Sequence, residues 1–194
     1  MHHKFEREME QTDQYLLELA VRGDGGSFGR LMERWDRKIF GFIRRYVGNR
    51  EDAEDLTQNT FVKAFQNLGS LSNRSHFASW LYKIALNECR MKFRKQKGRT
   101  AVSLEDSQPE VDDRTREEIS PERTLEGREK VSRLEEAFRK LPVEQREVLL
   151  MKEFQGLRFQ DIADVLGIPA STAKSRLYLG LKSLRRVLEN DDEL

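Results

Sequence analysis

Between Phe28 and Tyr46 the large apolar residues fall three or four positions apart: Phe28, Leu31, Met32, Trp35, Ile39, Phe42, Ile43 and Tyr46. That spacing draws one apolar stripe down a helix of about five turns, and a strand, whose faces alternate every second residue, cannot use it. The same rhythm recurs along the chain. A short amphipathic helix is predicted around Tyr15 to Val21, ended by the glycines of residues 23–26. After Gly48 and Asn49, the carboxylates of residues 51–55 open another helix and suit its positive dipole end. Its core face reads Leu56, Phe61, Ala64, Phe65 and Leu68, and a fourth helix carries Phe77, Trp80, Leu81, Ile84 and Ala85. Further helices are predicted from Arg128 to Leu141, from Pro142 to about Phe154, and on either side of the break at Gly167, Ile168 and Pro169. No alternating pattern and no internal repeat occurs, so the expected class is all-α.

Charge divides the chain. Residues 1–97 hold 18 basic and 13 acidic side chains, residues 98–127 hold 4 and 9, and residues 128–194 hold 13 and 12. Residues 98–127 also lose the helical period and contain Pro109 and Pro121. The expectation is two small helical domains, 1–97 and 128–194, joined by a flexible acidic linker at 98–127. With 36% charged residues, each domain has only a modest core to bury. No apolar run is long enough for a membrane span and the first residues lack a signal peptide's apolar segment, so the cytoplasm is the expected compartment. A single cysteine, Cys89, excludes an internal disulfide framework. His2, His3, His76 and Cys89 do not form a ligand cluster, and no phosphate loop or nucleophile grouping is present. No metal, cofactor, small-molecule substrate or enzymatic activity is expected.

The C-terminal helices carry the clearest functional pattern. Phe159, Ile162, Ala163 and Leu166 form the inner face of a short helix that Gly167 can end in a left-handed turn. The helix after it places Ala173, Leu177, Leu181, Leu184 and Leu188 within about 40° of one line. The opposite side then falls to Ser171, Thr172, Ser175, Leu179, Lys182 and Arg186, flanked by Lys174 and Arg176. Small hydroxyl residues let a backbone approach base edges, and Arg176 can fork onto a guanine. Leu179 can meet a thymine methyl, while Lys182, Arg185 and Arg186 suit phosphates. A helix-turn-helix that reads duplex DNA is the expectation. By itself it leaves open a stand-alone transcriptional regulator whose N-terminal half senses or dimerises.

The N-terminal half separates these readings. The run from Asp52 to Phe65 (DAEDLTQNTFVKAF) and that from Ser75 to Asn87 (SHFASWLYKIALN) closely resemble region 2 of bacterial sigma factors of the extracytoplasmic-function type. The run from Leu141 to Leu149 (LPVEQREVL), residues 161–163 and the run from Gly167 to Leu177 (GIPASTAKSRL) resemble their region 4. The order is the family's, with a linker where the family has one. The resemblance implies a factor that binds core RNA polymerase and directs initiation at promoters without chemistry of its own. It implies docking on the beta-prime coiled coil through Asp55, Gln58 and Asn59, a contact with the beta flap, and sequestration by an anti-sigma factor. It also implies reading of the −10 element by the loop Leu71, Ser72, Asn73, Arg74 and Ser75 and by Lys83, Asn87, Arg90 and Arg94 on the following helix. The −35 element would fall to Ser171, Thr172, Lys174, Ser175, Arg176, Leu179 and Lys182. Leu71 stands where the family often has an aromatic and Asn73 where glycine is common, so the loop's base preference does not carry over. Phe77 and Trp80 fit the apolar stripe better than a stacking platform. The acidic linker suits either a channel built for phosphates or simple solubility.

Overall fold

The computed structural model describes residues 12–71, 73–100, 133–134 and 136–191, with side chains excepted at 96–100 and 190–191. Four helices build the N-terminal half: α1 (Asp13–Val21), α2 (Gly25–Val47), α3 (Arg50–Gln66) and α4 (Phe77–Thr100). The first three starts each have a polar residue that accepts from an otherwise unpaired amide. Thr12 Oγ1 accepts from Tyr15 N, Asp24 Oδ1 from Gly26 N, and Asn49 Oδ1 from Asp52 N at 2.8 Å. Gly48, at φ 92°, ends α2 in the left-handed conformation that Asn49 leaves at once to cap α3. The long stripe of α2 meets α3 on one side and α4 on the other, and its aromatics interlock with those of α4. Tyr82 stands edge-on to both Trp35 and Phe42, at 6.1 and 5.4 Å. Trp35 donates its indole N–H to Asp13 at 2.8 Å, which ties α1 to α2.

The C-terminal half begins, among the described residues, with a helical segment at 136–140 and continues as α5 (Val143–Leu149). A π-helical turn, Leu150–Phe154, extends α5 before Gly156 turns the chain at φ 64°. Then come α6 (Phe159–Leu166) and α7 (Ala170–Asp191). Gly167, at φ 67°, makes the tight turn, with its N–H on Ala163 O. Among the described residues the architecture is wholly helical, as the periodicity predicts. The predicted linker falls outside the described residues except for residues 98–100, whose backbone continues α4.

Two expectations about helix faces are corrected. Phe65 is 56% exposed, and its ring rests on Phe28 at the rim of the core. Leu181 is 42% exposed, because the buried line of α7 runs Ala173, Leu177 and Gly180 and continues to the half-buried Leu184. Both lines obey the three-and-four rule; the one through Gly180 wins because α5 needs close approach there. A Cβ at Gly180 would lie 2.8 Å from Leu149 Cδ1 and 3.3 Å from Gln145 Cβ.

The two halves do not lie apart. α4 packs on α6, α2 packs on the π turn, and one continuous apolar cluster includes residues of both halves. The seam itself is polar at its centre, with Tyr82 Oη donating to Gln155 Oε1 at 2.7 Å and Tyr46 Oη donating to Glu147 Oε1 at 2.9 Å. The contact at Gly180 has a direct consequence. Gly180→Val should lower stability by about 1–3 kcal/mol through overpacking against α5, measured by chemical denaturation.

Candidate nucleic-acid interface

The face of α7 away from the core is open along its length. Ser171, Lys174, Ser175, Leu179 and Lys182 are exposed, while Thr172 and Arg176 are half-buried on its flanks. Ser175 Oγ donates to Ser171 O at 3.1 Å, which keeps that hydroxyl low against the helix. Lys174 Nζ lies 5.7 Å from the Phe159 ring, so its charge sits over the junction of the two motif helices. Tyr178, 71% exposed, stands on the same line as Ser171, Ser175 and Lys182. Sequence reasoning missed it, although its spacing of three from Ser175 and four from Lys182 carries the signal.

The loop and α4 form the second surface, and the structure sorts its predicted residues into separate places. Asn73 Oδ1 accepts from Ser75 N at 3.1 Å and from Ser75 Oγ at 2.7 Å, so this side chain shapes the loop by capping its 3-10 turn. Arg74 turns toward α1, with Nη1 3.8 Å from Glu18 Oε1. Ser72 lies outside the described residues. Leu71, Asn73 and Lys83 border a hollow of about 240 Å³ that Trp80 walls and that His76 and Asp164 also line. Asn87 and Arg94 border a neighbouring groove of about 590 Å³, on the other flank of Trp80. Trp80 is thus a half-buried partition between two clefts, and only Phe77 is core as expected. Lys63, Asn67 and Ser70, absent from the predicted set, complete the larger groove, and Lys63 pairs with the nearly buried Glu88. Their signal is weak, since they come from α3 and the turn after it and reach α4 only through the fold.

Arg90 stands apart from that groove. Its Nε and Nη2 donate to the two carboxylate oxygens of Glu147 at 2.9 and 2.6 Å. Glu147 is 1% exposed and also accepts from Tyr46. The hydrogen bond to Glu147 holds the Arg90 guanidinium above its ordinary pKa, and burial, then the Glu147 charge, pushes the Tyr46 phenol upward.

On α3, Asp55, Gln58 and Asn59 are all exposed. Val62, 54% exposed, falls three and four positions after Asn59 and Gln58, so an apolar group sits within this polar face. Phe65 borders it. The polar residues of this face thus surround an exposed apolar centre.

Comparison with known proteins follows the same division. The sigma-70 region 2 model matches residues 31–99, and the sigma-70 region 4 model matches residues 132–184. The chain is 32% identical to the RNA polymerase sigma-H factor of Pseudomonas aeruginosa, over 93% of this chain and 95% of that one. It is 30% identical to the ECF RNA polymerase sigma-E factor of Haemophilus influenzae, over 92% and 94%. The chain belongs to the extracytoplasmic-function sigma factors. A solved structure of CnrH in complex with the cytosolic domain of CnrY shares the fold, with TM-score 0.70, 23% identity and coverage of 92% and 98%. Family membership makes the chain a transcription initiation factor that works with RNA polymerase, not an enzyme, and decides against the stand-alone regulator. Among the described residues, no helix is long and apolar enough to cross a membrane, and no three His, Cys, Asp or Glu residues gather where they could hold a metal ion.

Cys89 lies on the core side of α4, fully buried, and that burial pushes its thiol far above the ordinary value. Native protein should therefore resist iodoacetamide near neutral pH, while protein unfolded in guanidinium chloride is alkylated at this one thiol. Intact-mass spectrometry checks the contrast.

Proposed function

We propose that this sigma factor grips its promoter at two places and docks on polymerase through a third surface. Residues 1–97 serve as the region that binds core enzyme and opens the −10 element, and residues 128–194 as the region that reads the −35 element. In the first, Leu71, Asn73 and Lys83 surround the hollow that takes an unstacked base, and Asn87 and Arg94 follow the strand along the larger groove. Flipping a base costs a few kcal/mol, so its pocket must stand ready beforehand. Stacking surface and cations beside it are what a single strand requires. In the second, Ser171, Thr172, Ser175, Arg176 and Leu179 face base edges, while Lys174 and Lys182 contact phosphates. The observation that carries this reading is the small hollow, with Trp80 as its aromatic wall and Lys83 at its rim.

Asp55, Gln58 and Asn59, with Val62 among them, suit the beta-prime coiled coil, and the C-terminal region meets the beta flap. Both contacts occur in the cytoplasm, with core enzyme. An anti-sigma factor that covers the α3 face would keep the protein from polymerase. The mechanism is binding free energy spent on strand separation, with no covalent step.

In vitro transcription with purified core enzyme across a promoter library tests the whole reading: specific transcripts are expected, and their absence overturns it. Arg176→Ala should cost about 1–3 kcal/mol at one base position of the −35 element, read by competition between duplexes changed one base pair at a time. Asp55→Arg should reduce co-purification with core enzyme while helical content, by circular dichroism, stays that of the parent.

A further inference from the structure

The outward face of α7 is cationic at its borders and apolar in its middle. Residues 170–189 carry five basic side chains and one acidic, yet the most exposed large apolar residue among those described is Tyr178, and Leu179 beside it is exposed as well. At 100° per residue, the two stand about 50° to either side of the line through Ser175 and Lys182. That line brings little hydrogen-bonding power to a base. Ser175 gives its hydroxyl hydrogen to Ser171 O at 3.1 Å, and Lys182 is a compact charge suited to phosphate. Around the helix Lys174 lies beyond Tyr178 and Arg176 beyond Leu179, so a cation borders each side of the apolar pair. Two rows of positive charge about an apolar strip match the two phosphate rows that wall the groove of a duplex.

We propose that Tyr178 and Leu179 form an apolar pair that reads thymine methyl groups in the −35 element, so that methyl contact, not hydrogen bonding, sets the sequence preference at the centre of the site. This rests on the reading of α7 given under Proposed function, and it adds Tyr178 and a base class to that reading. Among the groups that base pairs present in the major groove, the thymine C5 methyl is the apolar one. Against a guanine O6 or a cytosine amine, a leucine or a ring edge strips water from a polar group and returns no hydrogen bond. Against a methyl, both surfaces leave water together. An arginine or a glutamine at these two positions would instead fork onto guanine or adenine. Each methyl so covered is worth about fourfold in affinity, the scale of one apolar carbon group removed from water. The two side chains diverge by about 100° around the helix, so they meet methyls of different base pairs. Their contributions then multiply, to about fifteenfold.

The test uses the full chain bound to core polymerase. The probe is the duplex promoter most strongly transcribed from the library, with each −35 thymidine replaced singly by deoxyuridine, which removes the methyl and nothing else. Competition binding with the parent is expected to show a loss of about fourfold at two positions. Leu179→Ala should abolish the difference at one of them and Tyr178→Ala at the other. Tyr178→Phe should keep it, because the phenol hydroxyl takes no part. The ratio should hold as salt rises, although affinity itself falls. Both residues are exposed and alanine suits a helix, so circular dichroism of the variants should match the parent. Equal affinity for all thymidine and deoxyuridine probes overturns the proposal, as does a difference that survives both alanine substitutions, or a selected −35 element with no thymine on either strand. Weakened core association in the alanine variants with an unchanged deoxyuridine effect also overturns it, and assigns the pair to polymerase. Absence of any promoter-specific transcription by the parent would instead remove the underlying reading of α7. Specific transcription from promoters indifferent to deoxyuridine removes the methyl readout alone.

Discussion

A single carboxylate governs how the halves of this molecule relate. Glu147 is almost wholly removed from water, and the three hydrogen bonds that make its burial tolerable come from Tyr46 on α2 and Arg90 on α4. An ionised carboxylate left unpaired in such a place would cost several kcal/mol, so the C-terminal half can take this position only where those partners stand. Cation and ring contacts frame the clasp, with Arg146 over Tyr46 and Arg45 over Phe154 at 4.7 Å. A seam built this way orients two bodies sharply, since each polar anchor has one partner that fits it.

α4 is the element on which the core, the seam and both clefts converge. One side of it completes the aromatic core with Trp35, Phe42 and Tyr46, another meets the C-terminal half, and the third walls both clefts. The apolar side fixes the rotation of the helix about its axis, and that rotation decides which charged residues look into the groove and which meet Glu147. Packing in the core thereby sets the chemistry of the surface. The loop before α4 is held in the same spirit, since Asn73 spends its carbonyl on Ser75 and gives the backbone one defined turn. A glycine there would lack that brace.

The sequence made the helices legible because an apolar stripe is a local property. It made the exposed face of α7 nearly legible for the same reason, since outward-facing residues follow from their spacing opposite the buried line. Where two lines fit equally well, neighbours chose between them. Leu181 lost its place to Gly180 because α5 passes too close for a side chain, and Phe65 yielded to the polar face of α3. The side of α4 that borders the two clefts was only partly legible. Lys83, Asn87, Arg90 and Arg94 share one side of a wheel, but a wheel does not say that a second body will arrive and take Arg90. Trp80 shows the same limit, because an aromatic on an apolar stripe can end as core or as the wall of a cleft, depending on what borders it.

The π turn at Leu150–Phe154 has a geometric consequence for that second body. Glu147 and Gln155 are eight residues apart, which in an unbroken α-helix would point them about 80° away from each other. A π turn absorbs one additional residue, so the effective spacing becomes about seven and the two side chains come within about 20° of a common direction. Both can then address the same neighbour, Glu147 at Arg90 and Gln155 at Tyr82. The bulge acts as a phase corrector, letting the chain carry one residue more between its two polar anchors than a regular α-helix could while keeping both on a common side.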